Sequence, residues 1–496
     1  MNKLMYSAPL YFVAFLPMII MLYQLCPQKF RKFVLLLANY AFFFIWSKFF
    51  LVYQVITMLI TYVSAKVIDH TANKKTKKIS LFIAIVINLG VLVVLKYTNF
   101  FGENIFAIFH QPFTPVRLIA PIGISYYTLQ MISYLMDTSS GKIHSDHSIV
   151  DFAVYANFFP TLIQGPITRF NEIKDSIHAG NPITYQNLKF GSQRILFGLM
   201  KKMIIADRLD PAVSKIFTSY TQDGLFSLIG AVLCTIQLYM DFSGIVDICL
   251  GSAENFRQPF FAENASDFWR RWHITLGTFL RDYVFYPISL AKPIRRLSKF
   301  FTKHFGKAAG KFIGPFIALF AVWFLNGLWH GPYWSYIFYG IYYFCFMVLE
   351  IILKKPIDTF LKKYQIDDNH IGLRLFRFIK LFIIVIIGEL FFRAQTLAVG
   401  WTMFSSIFTN FNLSTFNGTL PFLRLDMIDW IIVIVGALTI FLVDIYKEFH
   451  GSIRNAIEQK PTWIRWSIIY TCIFATLIFG AYGPGYDIVA MIYAEF

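Results

Sequence analysis

Apolar runs long enough to cross a bilayer, separated by short basic clusters, set the terms on which this chain can fold. In hydrocarbon every backbone N–H and C=O must be satisfied within the protein, so runs of this length are helices. Lys29-Phe30-Arg31-Lys32 and Lys74-Lys75-Thr76-Lys77-Lys78 bracket Phe33 to Ile68, a stretch too long for one span and suited to two with a turn near Ser47-Lys48. Further runs cover Ser7 to Cys26, Ile79 to Leu95, Phe312 to Leu353, Leu375 to Phe392, Met427 to Tyr446 and Trp463 to Tyr482. With 57% hydrophobic and only 15% charged residues, the chain is read as a multi-pass membrane protein with no hydrophilic stretch long enough for a soluble domain. The fold class expected is all-α, a polytopic transmembrane bundle in a single domain spanning 1–496.

The net charge of +17 falls mostly in clusters between apolar runs. There it reports cytoplasmic retention and contact with anionic lipid heads, not nucleic-acid binding. The densest cluster, Lys292, Arg295, Arg296, Lys299, Lys303, Lys307 and Lys311, reads as a cytoplasmic loop, as do Lys354-Lys355 and Lys362-Lys363. Phe312 to Leu353 then goes out and returns, and both termini are expected outside. From Leu118 to Lys202 the runs are short and interrupted by Pro121, Gly123, Pro160, Gly165 and Pro166, the pattern of partial or re-entrant helices surrounded by protein or a wet cavity. Cys26, Cys234, Cys249, Cys345 and Cys472 have neither paired spacing nor neighbouring histidines, so they read as inert buried thiols, with no metal site.

Chemistry is sought where ionisable groups sit in apolar sequence, because such groups are costly in a membrane and face protein or a cavity. Asn326-Gly327-Leu328-Trp329-His330-Gly331-Pro332 places His330 far from any charge in sequence. A neutral imidazole there can take a proton from a hydroxyl, or simply bond within a bundle. Trp269-Arg270-Arg271-Trp272-His273 combines tryptophan, arginine and histidine, as at a headgroup-level helix or a polar vestibule, so His273 can anchor a segment or line a path. Asp241-Phe242-Ser243-Gly244 and Asp247 end another apolar run; the acids call for cations, and Arg270, Arg271 and Arg281 are the candidates. Ser243 lacks a nucleophile elbow, and no phosphate loop or zinc spacing accompanies it.

In order along the chain, Pro121-Ile122-Gly123-Ile124-Ser125-Tyr126-Tyr127, Phe159-Pro160 to Gly165-Pro166, Gly198-Leu199-Met200-Lys201-Lys202, Asp241-Phe242-Ser243-Gly244, Asp267-Phe268-Trp269-Arg270-Arg271-Trp272-His273, Trp329-His330-Gly331 and Phe391-Phe392-Arg393-Ala394 together resemble the membrane-bound O-acyltransferase family. The similarity is to its bacterial branch of alginate O-acetyltransferase membrane subunits and teichoic acid D-alanyl transfer proteins, with a core from about 100 to 395. Where the family carries tyrosine and serine after Asp-Phe-Ser-Gly, this chain has Ile245 and Val246. Its length and its ending, Gly480 to Asp487, resemble the acetylating type.

The resemblance implies broken central helices around a trans-bilayer channel, His330 as the catalytic residue, and His273 close to the acyl path. Trp269, Arg270, Arg271, Asp241, Ser243, Asn326 and Trp329 are then candidates for the channel or for donor binding. It implies an acyltransferase of the bacterial cell membrane that takes an acyl group, acetyl foremost, from cytoplasmic acetyl-coenzyme A as substrate, with no bound cofactor. The acceptor is an extracytoplasmic polysaccharide, reached through an esterase-like acetyltransferase partner. D-alanyl transfer to teichoic acid and a transporter or flippase without chemistry remain the alternatives.

The charge pattern makes a direct prediction. A cysteine at Thr302, with native cysteines removed, is expected to resist a membrane-impermeant thiol reagent in intact cells, whereas one at Ser414, in the lysine-free Ala394 to Leu423 segment, reacts. Labelling of both from outside contradicts this topology.

Overall fold

The computed structural model describes residues 8–121, 123–146, 148–162, 165–251, 269–368, 370–413 and 423–482. Ile122, Ile163-Gln164, Asp267-Phe268, Ser414 and Gly483 to Asp487 lie outside the described residues. Every described regular element is helical. Among the described residues, seven stretches are long and apolar enough to cross a membrane: Gln28–His70, Lys74–Ile108, Gly224–Leu250, Lys292–His330, Trp334–Lys363, Met427–His450 and Thr462–Phe479. The chain is an all-helical, multi-pass protein of the cell membrane.

The turn expected at Ser47-Lys48 forms: helices Arg31–Ser47 and Leu51–His70 meet at the short Lys48–Phe50 turn. The first run is shorter than expected, a helical stretch over Tyr11–Leu25 that opens as a π turn ahead of Pro17. A helix forms where a span was expected near Leu375, over Ile371–Arg393, but Arg377, Lys380 and Glu389 interrupt its apolar length. The basic stretch from Lys292 is helical, part of Lys292–His330, which breaks at Gly306 with a left-handed φ of 88°. Its basic residues recur every three or four positions with Ile294, Leu297, Phe300 and Phe301 between them, the pattern of an amphipathic interfacial helix. Cys345 is exposed on its helix, against the buried thiol expected there, while Cys234 and Cys249 are buried.

The chain divides into two compact units, Met1–Ser192 with Ile248–Ser252 and Gln193–Asp247 with Ala253–Phe496. In the first, Ile124–Ser140 is buried along nearly all its length, packing Met131, Tyr134 and Leu135 against Tyr62, Phe152 and Tyr155. The interrupted region is built of short pieces, Ile149–Ala156, Phe159–Thr161 and Phe170–Ala179. Asn39 ties two of them down, donating to the Val154 carbonyl at 3.2 Å and accepting from the Phe159 N–H at 3.0 Å.

The second unit is organised by buried charge. Its Asp241 and Asp247 lie on Gly224–Leu250, and their cations come from Arg194, Lys201 and Lys202, not from the arginines at 270, 271 and 281 that the sequence suggested. Lys202 Nζ sits 2.6 Å from both Asp207 and Asp241, while Asp247 takes Arg194 at 2.9 Å and Lys201 at 2.8 Å. The reason is backbone proximity: a Cβ added to Gly244 would lie 2.8 Å from the Gly198 carbonyl oxygen, so only glycine lets the two motifs approach. The π-helical Met200–Ala206 segment frees carbonyls that an α-helix would use, and Met203 O accepts the Ala481 N–H at 2.8 Å. With one ammonium for two acids, burial pushes the Asp207 carboxyl up, to about 7, against the pull of Lys202.

Removing one member of a buried charge group leaves the others uncompensated, at a cost of about 3–5 kcal/mol. Lys202→Ala is therefore expected to melt well below the unaltered chain in detergent. An unchanged melting temperature contradicts a structural role for this triad.

Candidate active site

His330 is the last residue of Lys292–His330, and Gly331 ends the helix in extended backbone before the next begins at Trp334. Two glycines let the two helices close on each other. A Cβ at Gly327 would lie 2.3 Å from the Tyr336 carbonyl oxygen, and one at Gly340 would lie 2.2 Å from that of Trp323. This approach buries His330 to 2% exposure inside an aromatic cage. Its ring lies edge-on to Trp329, Tyr339 and Phe392, with centroids at 5.0, 5.8 and 5.1 Å, and near Tyr336 at 6.3 Å. Asn326, one turn earlier on the same face, is buried, and its Oδ1 finds no hydrogen-bond partner among the described residues.

His273 arrives from another direction. It holds a left-handed conformation (φ 47°, ψ 46°) at the start of Ile274–Leu280, a backbone state that histidine tolerates better than branched residues. Its ring touches Phe242 at 4.9 Å and Trp329 at 5.2 Å, so Trp329 stands between the two histidines. Burial pushes the His273 imidazole down to about 3, which keeps it neutral across the physiological range. Trp269 belongs to the same aromatic group, edge-on to Trp323 at 4.8 Å and Tyr343 at 5.0 Å.

The remaining sequence candidates divide. Asp241 is held by Lys202, while Ser243 is buried with its Oγ lacking a hydrogen-bond partner among the described residues. Arg270 is exposed, and Arg271 pairs with Glu448 at 2.9 Å. Arg271 also lines a cavity of about 720 Å³ together with Arg194, Lys201, Lys447 and Arg454. The acids on the same wall are Asp247, Asp444 and Glu448, so the lining carries a cationic excess. Lys201 and Lys447 both approach the Phe197 ring, at 4.6 and 4.3 Å. From this cavity a file of ring contacts leads inward: Tyr239 to Trp272 at 6.1 Å, Trp272 to Phe242 at 4.8 Å, Phe242 to His273, then Trp329 and His330.

Sequence reasoning had no means of placing Arg194, Lys447 and Glu448 at this cavity, because they come from segments far apart in the chain. It also passed over Glu389, although the signal was the one that singled out His330: a lone ionisable residue in an apolar run.

Residues 78–394 match the model of MBOAT, the membrane-bound O-acyltransferase family. The chain belongs to that family. It is 31% identical over 421 residues to a probable alginate O-acetylase of Azotobacter vinelandii, covering 82% of this chain and 78% of that one. A probable alginate O-acetylase of Pseudomonas putida is 28% identical over 501 residues, covering 96% of each. A peptidoglycan O-acetyltransferase of Helicobacter pylori is 30% identical over 386 residues, covering 68% of each. The protein is thus a membrane acyltransferase, acting across the bilayer toward an extracytoplasmic acceptor. Lys447, Glu448 and Arg454 are C-terminal to the matched region, so part of the cavity wall is built outside the family's common core.

Proposed function

We propose that this chain transfers acetyl groups from acetyl-coenzyme A, taken up at the cytoplasmic face, to a hydroxyl presented from outside, for O-acetylation of a cell-wall or extracellular polysaccharide. The observation that carries the reading is the contact file from a cationic cavity, through Phe242 and His273, to the buried His330. An anionic thioester donor suits a wall of arginine and lysine, which hold phosphates by charge-assisted hydrogen bonds. Lys447, Arg454, Lys460 and Arg465 make the stretch beside the cavity basic, which by the positive-inside rule puts the cavity at the cytoplasmic face, where activated thioesters are made.

The chemistry follows from the cage. The acceptor oxygen attacks the thioester carbonyl carbon while His330, as neutral imidazole, takes the hydroxyl proton. As the carbon–sulfur bond breaks, the imidazolium returns a proton to the departing thiolate, so the base is regenerated. Asn326, on the same helix face, is placed to donate its amide to charge developing on the carbonyl oxygen. His273, held neutral, lines the approach, and the surrounding rings exclude water that would hydrolyse the thioester. No bound cofactor is needed for this sequence of steps.

Acetyl is preferred over D-alanyl because the relatives matched over 82% and 96% of this chain are described as O-acetylases. The site has no acyl-serine of its own with a nucleophile elbow, and an extracytoplasmic esterase-like acetyltransferase completes the delivery to the polymer.

Purified chain is expected to release free thiol from acetyl-coenzyme A when given an acceptor hydroxyl. His330→Ala is expected to lower that rate by about 10²–10⁴-fold without altering membrane insertion. Arg271→Lys keeps the charge but loses the planar fork, so it is expected to raise the donor KM while leaving kcat near normal. A fully active His330→Ala variant, or an unaltered chain that leaves acetyl-coenzyme A intact, contradicts the proposal.

A further inference from the structure

Glu389 is a buried acid next to the aromatic cage that the proposed transfer does not use. It lies on Ile371–Arg393 with Val385, Ile386, Gly388, Leu390, Phe391 and Phe392 buried around it, and it is itself 2% exposed. Its Oε1 accepts the Tyr339 hydroxyl at 3.1 Å, and its Oε2 finds no hydrogen-bond partner among the described residues. A carboxyl in an apolar interior carries a desolvation cost that an apolar residue avoids, so stability alone does not explain one here. In a membrane interior such a residue is a functional candidate.

Its one hydrogen bond leads to the cage. The Tyr339 ring lies edge-on to His330 at 5.8 Å and is packed by Phe392 at 5.0 Å and Tyr343 at 5.0 Å. Beside Glu389, a Cβ on Gly388 would come within 2.7 Å of the Tyr343 hydroxyl, so the helix carrying the acid is pressed against the tyrosine pair. The neighbouring rings set how far Tyr339 turns, and the hydrogen bond, made on the ring's long axis, fixes where its outer end sits. His330 has the Tyr339 ring as one wall of its cage, so a displaced tyrosine moves the imidazole.

We propose that Glu389 is a positioning residue for acyl transfer: by accepting the Tyr339 hydroxyl it fixes the ring against which the His330 imidazole packs. The inference rests on the reading of His330 as the base. A displacement of about 1 Å at a reacting group is enough to lower a rate about 10²-fold. Glu389→Leu in the full-length protein is therefore expected to lower kcat for thiol release from acetyl-coenzyme A about ten- to a hundredfold, with donor KM and melting temperature close to those of the unaltered chain. Glu389→Gln keeps an acceptor oxygen for Tyr339 and is expected to restore most of the rate. Tyr339→Phe is expected to lose at least as much, since its hydroxyl also meets Tyr343, and the Glu389→Leu, Tyr339→Phe double variant to be no slower than Tyr339→Phe alone, because the bond to Glu389 is already gone.

Nitrogen-15 spectra of the histidine imidazoles give a readout independent of turnover, with the His330 signals assigned by their disappearance in His330→Ala. Glu389→Leu and Tyr339→Phe are expected to move those signals alike, and Glu389→Gln to leave them in place. Additive losses in the double variant, no rescue by glutamine, a change confined to KM, or unmoved His330 signals each overturn the role of Glu389. If the unaltered chain turns over no acetyl-coenzyme A, the reading of the site falls, and the spectra still decide whether Glu389 positions His330.

Discussion

The Lys202 ammonium, wholly buried between Asp207 and Asp241, is the interaction on which the rest of the second unit depends. A charge in an apolar interior is tolerated only with close partners, and these partners come from the helical segment after Ala206 and from Gly224–Leu250. Together with Arg194 and Lys201 on Asp247, the group fixes the Asp-Phe-Ser-Gly turn of helix against the Gly-Leu-Met-Lys-Lys segment at glycine distance. Phe242 is thereby presented to Trp272 and His273, and through them to Trp329 and His330. The electrostatic lock and the aromatic path are two faces of one helix, since Asp241 and Phe242 are consecutive.

Much of this was legible in the sequence because membrane physics restricts the alternatives. Apolar length and basic punctuation gave the paired helices around Ser47-Lys48 and the long helices flanking His330, and the interruptions between Leu118 and Lys202 gave the short helices found there. The partners of Asp241 and Asp247 were not legible. Arg270, Arg271 and Arg281 were the sequence candidates, but the partners are set by backbone approach at Gly244, a long-range contact that local pattern does not encode. The same holds for the cavity, where Arg194, Arg271 and Lys447 meet from three separate segments. The basic stretch at Lys292 reads as a loop on charge alone, whereas the spacing of its basic residues is helical.

The proposed transfer makes two demands that conflict in water. A thioester must be held by charge, yet it must be attacked where water is scarce and the base is neutral. In this proposal the cationic wall of Arg194, Lys201, Arg271 and Lys447 answers the first demand, and the cage of Trp329, Tyr336, Tyr339 and Phe392 around His330 the second. Burial keeps His273 neutral between them.

In the proposed function the acyl group is transferred while the donor's carrier stays behind, which distinguishes it from a transporter with the same broken helices. The direct measurement is vectorial transfer in sealed vesicles of reconstituted protein. Acetyl-coenzyme A is supplied on the side of the Lys292 to Lys311 stretch, labelled in the acetyl group in one sample and in the coenzyme in another, with an acceptor hydroxyl on the opposite side. Acetyl label is expected to appear covalently on the acceptor while coenzyme label stays where it was added, and His330→Ala is expected to stop the transfer. Arrival of both labels together on the far side contradicts the proposed transfer.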